Sequence, residues 1–187
     1  MSKALLYSGG LDSSCAWWAL GKPPAVYCGG SFGPARHANL GEIDAIEAQI
    51  RICPEFRKAL TVIEFDFRPF MRPGHWNMPR EIICSQLAWA RGFDTVQIGF
   101  CADDGITPEW AKMQAGNFGA AVGMAGFKVE FPIAHMTKRE LVTAALDAGA
   151  PPEFIEASHS CVRHSKGHCG KCDNCRQRLA ALEAALV

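Results

Sequence analysis

The most informative part of the sequence is Ser8-Gly9-Gly10-Leu11-Asp12-Ser13-Ser14, which follows an apolar segment at residues 4–7 and opens a helical run at 11–20. Glycines let a backbone approach a phosphate closely, and serine hydroxyls and free amides at a helix start bind its oxygens. The stretch lacks the lysine of a Walker A loop and the third glycine of a dinucleotide-binding loop. It therefore predicts a phosphate-binding turn of another class.

Apolar strands and helical runs alternate along the rest of the chain. Strands are predicted at residues 4–7, 25–28, 60–67, 95–100 and 127–131, and helices at 11–20, 42–52, 80–91, 108–124, 137–148 and 174–187. Thr137, with Glu140 three positions later, is a capping box that starts one of these helices. The alternation predicts an α/β fold, a five-stranded parallel sheet with helices on both faces. Ligands of such sheets lie beyond the carboxyl ends of the strands.

Composition limits the function classes. The 187 residues fit a single domain, and 49% hydrophobic residues argue against disorder. Lys and Arg number 19, as do Asp and Glu, so we expect no nucleic-acid binding through bulk positive charge. No apolar run reaches the roughly 18 residues of a membrane span, and the first residues carry no secretory pattern. We therefore expect a cytoplasmic protein without a membrane partner.

Cysteine is the unusual feature of the composition, with nine in the chain. Four follow the pattern C-x7-C-x2-C-x2-C, namely Cys161, Cys169, Cys172 and Cys175. Thiolates at this spacing can surround one tetrahedral ion, so we predict zinc, with an iron–sulfur cluster as the alternative. The other five are predicted to be buried small hydrophobic residues. We expect residues 1–157 to form the phosphate-binding core and 158–187 the zinc-binding segment and a terminal helix.

The phosphate stretch resembles the pyrophosphate loop of the PP-loop ATPases, whose fold is adenine nucleotide alpha-hydrolase-like. These enzymes cleave ATP between its α- and β-phosphates, adenylate an oxygen of the substrate and let a nucleophile displace AMP. The resemblance implies that ATP and Mg²⁺ are bound by the whole stretch, which comprises Ser8, Gly9, Gly10, Leu11, Asp12, Ser13 and Ser14. Asp12 would help to hold the cation that neutralises the pyrophosphate.

An ordered set of further motifs narrows the resemblance to one family. In chain order they are Arg36-His37, Pro79-Arg80, Cys101-Ala102-Asp103-Asp104, Thr137-Lys138, Ser160-Cys161 and the last three cysteines with Arg178. The set is similar to that of the 7-cyano-7-deazaguanine synthases, the QueC family. Its activity, an ATP-dependent C–N ligation, uses ammonia to turn 7-carboxy-7-deazaguanine into the amide and then the nitrile. The family also implies structural zinc and often a homodimer. From the zero net charge we expect no direct contact with nucleic acid.

The resemblance implies roles for individual residues. Asp12, Lys138 and Arg80 would be catalytic, with Lys138 close to the phosphates or the developing adenylate charge. The substrate-binding residues would be Arg36, His37, Arg80 and Asp104.

The chain departs from the family pattern after the fourth strand. It reads Thr107-Pro108-Glu109-Trp110-Ala111 where the family usually has Tyr-Pro-Asp-Cys-Arg. This difference motivates an alternative, a PP-loop ligase that adenylates another carboxylate, such as that of a protein or peptide. A tRNA-thiolating PP-loop enzyme is a further alternative, with Cys101 as its candidate thiol. A zinc-ribbon nucleic-acid module is disfavoured by the neutral charge and the lack of a basic, aromatic stripe.

Overall fold

The protein is described here from a computed structural model that covers residues 2–29, 36–64, 78–105, 107–163 and 167–185. Within these ranges, the side chains at 36–40, 64, 78–80, 118, 121 and 122 are left out of the description.

Five strands in the described ranges form one sheet. They are β1 (Lys3–Leu6), β2 (Ala25–Gly29), β3 (Leu60–Glu64), β4 (Thr95–Ile98) and β5 (Lys128–Glu130). The order across the sheet is β3-β2-β1-β4-β5, and every neighbouring pair is parallel. The connections on either side of β1 run in opposite directions. Ligands of open parallel sheets bind at such a switch point. The phosphate stretch follows β1 directly, so it lies there.

Eight α-helices lie in the described ranges, with one short 3-10 helix at Ala102–Asp104. They are α1 (Leu11–Ala19), α2 (Arg36–Ile52), α3 (Phe56–Ala59), α4 (Met78–Ala90), α5 (Pro108–Val122), α6 (Lys138–Asp147), α7 (Pro152–Glu156) and α8 (Asp173–Ala185). The predicted capping box is confirmed, because the Thr137 hydroxyl accepts the Glu140 amide while the Glu140 carboxylate accepts the Thr137 amide. No helix among the described residues is both long and apolar enough to cross a bilayer.

The core has two layers, one on each face of the sheet, since side chains alternate along a strand. Leu5 and Tyr7 belong to one layer, where the fully buried rings of Trp17, Phe56 and Phe154 pack. Ala4 belongs to the other, with side chains from β4, β5 and α4. Both faces are therefore covered by helices, and the predicted fold class is confirmed. The five scattered cysteines are buried, as expected; they are Cys15, Cys28, Cys53, Cys84 and Cys101.

Three helical details differ from the predictions. Helix α2 begins at Arg36, six residues before the predicted start, because Gly41, a residue that disfavours a helix, stands directly before that start. Helices α3 and α7 were not predicted, because four or five residues are too short to display a period of 3.6. The predicted extensions of the third strand to 67 and of the last helix to 187 lie outside the described residues.

Candidate functional site

The phosphate turn, residues 8–14, forms a tight loop between β1 and α1. Gly9 has a φ of 74°, and a side chain there would place its Cβ 2.8 Å from the carbonyl oxygen of Glu42 in α2. Gly10 is the N-cap of α1, and as a glycine it has no side chain to cap the helix end. The amides of the first turn have no acceptor within the helix. The turn thus presents backbone N–H groups and the positive end of the helix dipole to an anion.

Hydroxyl groups hold the turn in shape. The Ser8 amide donates to Ser13 Oγ at 3.2 Å, and the two hydroxyls of these residues lie 3.1 Å apart. The Ser14 hydroxyl donates to the Gly10 carbonyl at 2.7 Å and is fully buried. Gln49 of α2 donates in turn to Ser14 Oγ at 2.7 Å. Sequence analysis placed these serines at a phosphate, and the structure gives each of them a hydrogen bond within the turn or to its support.

Lys138, the first residue of α6, reaches the mouth of the phosphate turn. Its Nζ lies 2.8 Å from Asp12 Oδ2 and 2.8 Å from Asp104 Oδ1, and its side chain is only 7% exposed. The backbone amide of Lys138 donates to Asp103 Oδ2 at 2.6 Å. The fold therefore brings together three predicted site residues that are far apart in the sequence, namely Asp12, Asp104 and Lys138. They meet at the carboxyl ends of β1 and β4.

Burial and neighbouring charges act in opposite directions on the ionisable groups of this cluster. Burial raises the pKa of Asp12 from 3.8 to about 6; the charge of Lys138 opposes the rise and that of Asp104 adds to it. Burial disfavours the ammonium of Lys138, but the two carboxylates outweigh it and raise its pKa above the ordinary value. Lys138 therefore stays positively charged, and Asp12 is poised to change its charge with its surroundings near neutral pH.

Cys101 also contacts this cluster. Its Sγ lies 3.4 Å from Lys138 Nζ and 3.4 Å from Asp104 Oδ2, and its side chain is fully buried. Burial and, next, the charge of Asp12 raise the pKa of this thiol to about 12. A thiolate is the reactive form of cysteine. The surroundings of Cys101 therefore keep it in the unreactive thiol form.

The four clustered cysteines form a second centre. One Sγ atom from each of Cys161, Cys169, Cys172 and Cys175 lies within 4.8 Å of the others, and the Cys169–Cys175 separation is 3.9 Å. A tetrahedral site with zinc–sulfur bonds of about 2.3 Å has sulfur–sulfur edges of about 3.8 Å. The amides of Lys171 and Cys172 donate to Cys169 Sγ at 3.4 and 3.3 Å. These donors lower the pKa of Cys169 to about 6, as a thiolate ligand requires. The residues fit a zinc ion.

Histidines are not part of this group of four. His159 and His168 lie beside it with ring centroids 5.4 Å apart, while the metal-ligand cluster among the described residues contains cysteines alone. His164 lies outside the described residues.

Other predicted and unpredicted residues complete the site. Arg36 and His37 fall in the first turn of α2 and Arg80 in that of α4, but their side chains lie outside the described residues. The sequence analysis assigned no role to Asp103. Its position after a strand and beside Asp104 is nevertheless a signal from which a role could have been predicted. Ser160, whose Oγ accepts the Leu11 amide at 3.4 Å, was quoted as part of a motif without a role.

Comparison with known proteins supports the family resemblance of the sequence motifs. Residues 79–186, more than half of the chain, match the family described as "Queuosine biosynthesis protein QueC". A 7-cyano-7-deazaguanine synthase of Methanosarcina mazei is 35% identical over 105 residues, which cover 54% of this chain and 44% of that protein. The enzyme of that name from Nitratiruptor sp. is 27% identical over 113 residues, covering 55% and 48%. The chain thus spans about half the length of the curated relatives that it matches.

Proposed function

The chain belongs to the QueC family, and we propose that it is an ATP-dependent C–N ligase of the 7-cyano-7-deazaguanine synthase type. In this reaction, ATP adenylates the carboxylate of 7-carboxy-7-deazaguanine and pyrophosphate leaves. Ammonia displaces AMP to give the amide. A second adenylation, on the amide oxygen, and loss of AMP give the nitrile. Each adenylation turns a poor oxygen leaving group into a good one.

The observation that carries this proposal is the buried ammonium of Lys138 at the mouth of the phosphate turn. Cleavage between the α- and β-phosphates builds negative charge on the departing pyrophosphate. Lys138 and the positive end of the α1 dipole are fixed positive groups facing that charge, and they are most effective where water is excluded. The carboxylates of Asp12 and Asp104 hold the ammonium in place before the nucleotide arrives.

Asp12 has a second feature that suits a cation. Among the described residues, its Oδ1 is one of the few buried side-chain oxygens without a hydrogen-bond partner, while Oδ2 is bonded to Lys138. Carboxylate oxygens are the protein ligands that Mg²⁺ prefers. We assign Asp12 as the residue that would hold Mg²⁺, which when bound neutralises charge on the phosphates. A bound cation would in turn stabilise the Asp12 carboxylate, which burial disfavours.

The zinc ion is assigned a structural role. Its four thiol ligands leave no open position for a substrate or a water molecule, which a catalytic zinc would need. The chemistry is therefore assigned to the other centre, around Lys138.

The test is a product assay with the zinc-loaded chain, ATP, Mg²⁺, ammonium and 7-carboxy-7-deazaguanine. We expect AMP and pyrophosphate, never ADP. Lys138→Met should lower the rate about 10²- to 10³-fold, the usual cost of losing one preorganised charge in an active site. Lys112→Met, at an exposed lysine of α5, is the matched control and should retain the rate. If no AMP forms when this substrate is present at several equivalents of the enzyme, the assignment is refuted.

A different carboxylate is the second candidate, favoured by the stretch at residues 107–111. Thr107 caps α5, and Trp110 packs edge-on against Phe100 and Phe131, at centroid distances of 6.5 and 5.8 Å. An aromatic residue therefore stands where the family usually has cysteine. AMP formation that depends on a peptide or protein carboxylate, and not on the deazapurine, would select this candidate.

Sulfur transfer is disfavoured by Cys101. A thiolating enzyme of this type would need this buried thiol as a nucleophile, and its raised pKa opposes that. Cys101→Ser should therefore keep most of the AMP-forming activity, whereas complete loss would favour sulfur transfer.

A further inference from the structure

Residues 158–161, here called the strap, lie against the phosphate turn. The backbone amide of His159 donates to the Gly9 carbonyl at 2.9 Å. The Ser160 hydroxyl accepts the amide of Leu11, in the first turn of α1, at 3.4 Å. The strap thus bonds to the turn on both sides of Gly10. The positions it joins are about 150 residues apart in the sequence.

The ring of His159 wedges the strap against α2. It is buried, and its Nε2 lies 3.0 Å from the carbonyl oxygen of Cys161. The same end of the ring also lies against Gly41 of α2. A Cβ added to Gly41 would lie 2.5 Å from His159 Nε2 and 2.6 Å from two ring carbons, which is closer than real Cβ atoms approach other atoms. Only glycine at position 41 therefore leaves room for the ring.

Both ends of the strap are anchored in the C-terminal segment. At its start, the Arg178 guanidinium of α8 lies 3.4 Å from Ser158 Oγ. At its end, Cys161 is one of the four clustered thiols, and the Ser160 amide donates to His168 Nε2 at 3.3 Å. Zinc at the four thiols would hold the last residue of the strap in place.

We propose that the strap couples the metal centre to nucleotide binding, with His159 and Ser160 as positioning residues of the phosphate turn. The inference rests on the proposed function, since it assumes that the turn binds a nucleoside triphosphate. The metal holds Cys161, Cys161 and Gly41 hold the His159 ring, and the strap backbone holds Gly9 and Leu11. A turn that is ordered in only part of the molecules binds its ligand more weakly, in proportion to the ordered fraction.

The decisive perturbation is Gly41→Ala. The new Cβ forces the His159 ring outward and moves the strap away from the turn. Losing one or two hydrogen bonds of ordinary strength predicts about tenfold weaker binding of Mg²⁺ and α,β-methylene-ATP, an analogue that cannot be cleaved at the relevant bond. Gly116→Ala is the matched control, because Gly116 also lies within a helix but a Cβ there meets nothing within 4 Å. This control should bind the analogue as the wild type does.

A double variant separates the steric mechanism from general damage. In Gly41→Ala/His159→Ala the ring is gone and the alanine at 41 has room, so binding should be no weaker than in His159→Ala alone. Zinc content and thermal midpoint are measured on each variant. If the losses of analogue binding in the two single variants simply add in the double variant, the proposed steric role of His159 is wrong. It is also wrong if Gly41→Ala binds the analogue with wild-type affinity.

Hydrogen exchange gives a readout that does not involve the nucleotide. In the zinc-loaded chain without nucleotide, Gly41→Ala should speed amide exchange at residues 9–12, and Gly116→Ala should not. Chelation of zinc from the wild type should speed the same amides. Failure of the wild type to bind the analogue would count against the proposed function, while faster exchange would still support the strap. Unchanged amide exchange at residues 9–12 in Gly41→Ala would overturn the proposed role of the strap.

Discussion

Replacing Lys138 by methionine tests the electrostatics of the site through stability, whatever the substrate. The substitution removes a cation that is 7% exposed and leaves the carboxylates of Asp12 and Asp104, which are 26% and 29% exposed. Their oxygens lie within 4.8 Å of each other, and at an effective dielectric constant of 20 two such charges repel by about 3 kcal/mol. Removing one partner of a buried pair costs roughly 3–5 kcal/mol. Since these carboxylates are partly exposed, we expect the loss at pH 8 at the lower end, about 3 kcal/mol.

The loss should depend on pH, with a definite sign. The pKa of Asp12 is raised to about 6 even with Lys138 opposing the rise, so without the lysine it lies higher still. A group whose pKa is higher in the folded than in the unfolded state binds a proton on folding. Its contribution to stability is complete below the unfolded value and is lost as pH rises through the folded one. At pH 5 the protonated Asp12 repels nothing, and the loss should shrink to about 1 kcal/mol.

The assay is urea unfolding of the zinc-loaded chain, followed by circular dichroism at pH 5, 6, 7 and 8. Lys112→Met, at an exposed position of α5, controls for the loss of any lysine and should change the free energy of unfolding by less than about 0.5 kcal/mol. Lys138→Met/Asp12→Asn should recover about 2 kcal/mol at pH 8, because one of the repelling charges is gone. A loss that is the same at all four pH values, or a double variant that recovers nothing, would refute the reasoning.

Two further substitutions test the core and the metal centre. Phe154→Ala removes a fully buried ring that packs against Trp17 and Phe56. The free energy of unfolding should therefore fall by about 3–5 kcal/mol and the thermal midpoint by about 10 °C. Leu179→Ala, at a half-exposed side chain of α8, should change both quantities little, and an equal effect of the two variants would contradict the packing. Cys172→Ser removes one of four thiol ligands, so zinc should be lost and a protease should cut within residues 158–185. One zinc per chain retained in that variant by elemental analysis would contradict the predicted centre.

The fold could be predicted from the sequence where the signals are local. The phosphate turn is a strand, two glycines and a helix start in succession, and the capping box at Thr137 is read from four consecutive residues. The metal centre is equally local, because its four thiols lie within fifteen residues. The first turns of α2 could not be predicted, because they contain Gly41, which disfavours a helix.

The site was predictable only in part. Parallel strands place their carboxyl ends at one edge, so the general neighbourhood of Asp12, Asp104 and Lys138 follows from the strand order. The pairing itself does not follow, because an ammonium between two carboxylates depends on how α6 packs against α1. The contact of His159 with Gly41 gives no sequence signal at all. A glycine inside a helix usually weakens it by about 1 kcal/mol, and nothing in the sequence says which side chain needs the space.

The strap explains how so flexible a turn can be ready for a nucleotide. Glycine loses more backbone entropy on ordering than any other residue, and this turn has two in succession. Gly9 is confined from two sides, because the Glu42 carbonyl leaves no room beside its Cα and the His159 amide holds its carbonyl oxygen. The entropy of ordering Gly9 is thus lost during folding rather than on binding, and such preorganisation increases affinity. A metal-anchored strap is therefore a physical counterpart to the glycines: they permit the turn, and the strap keeps it formed.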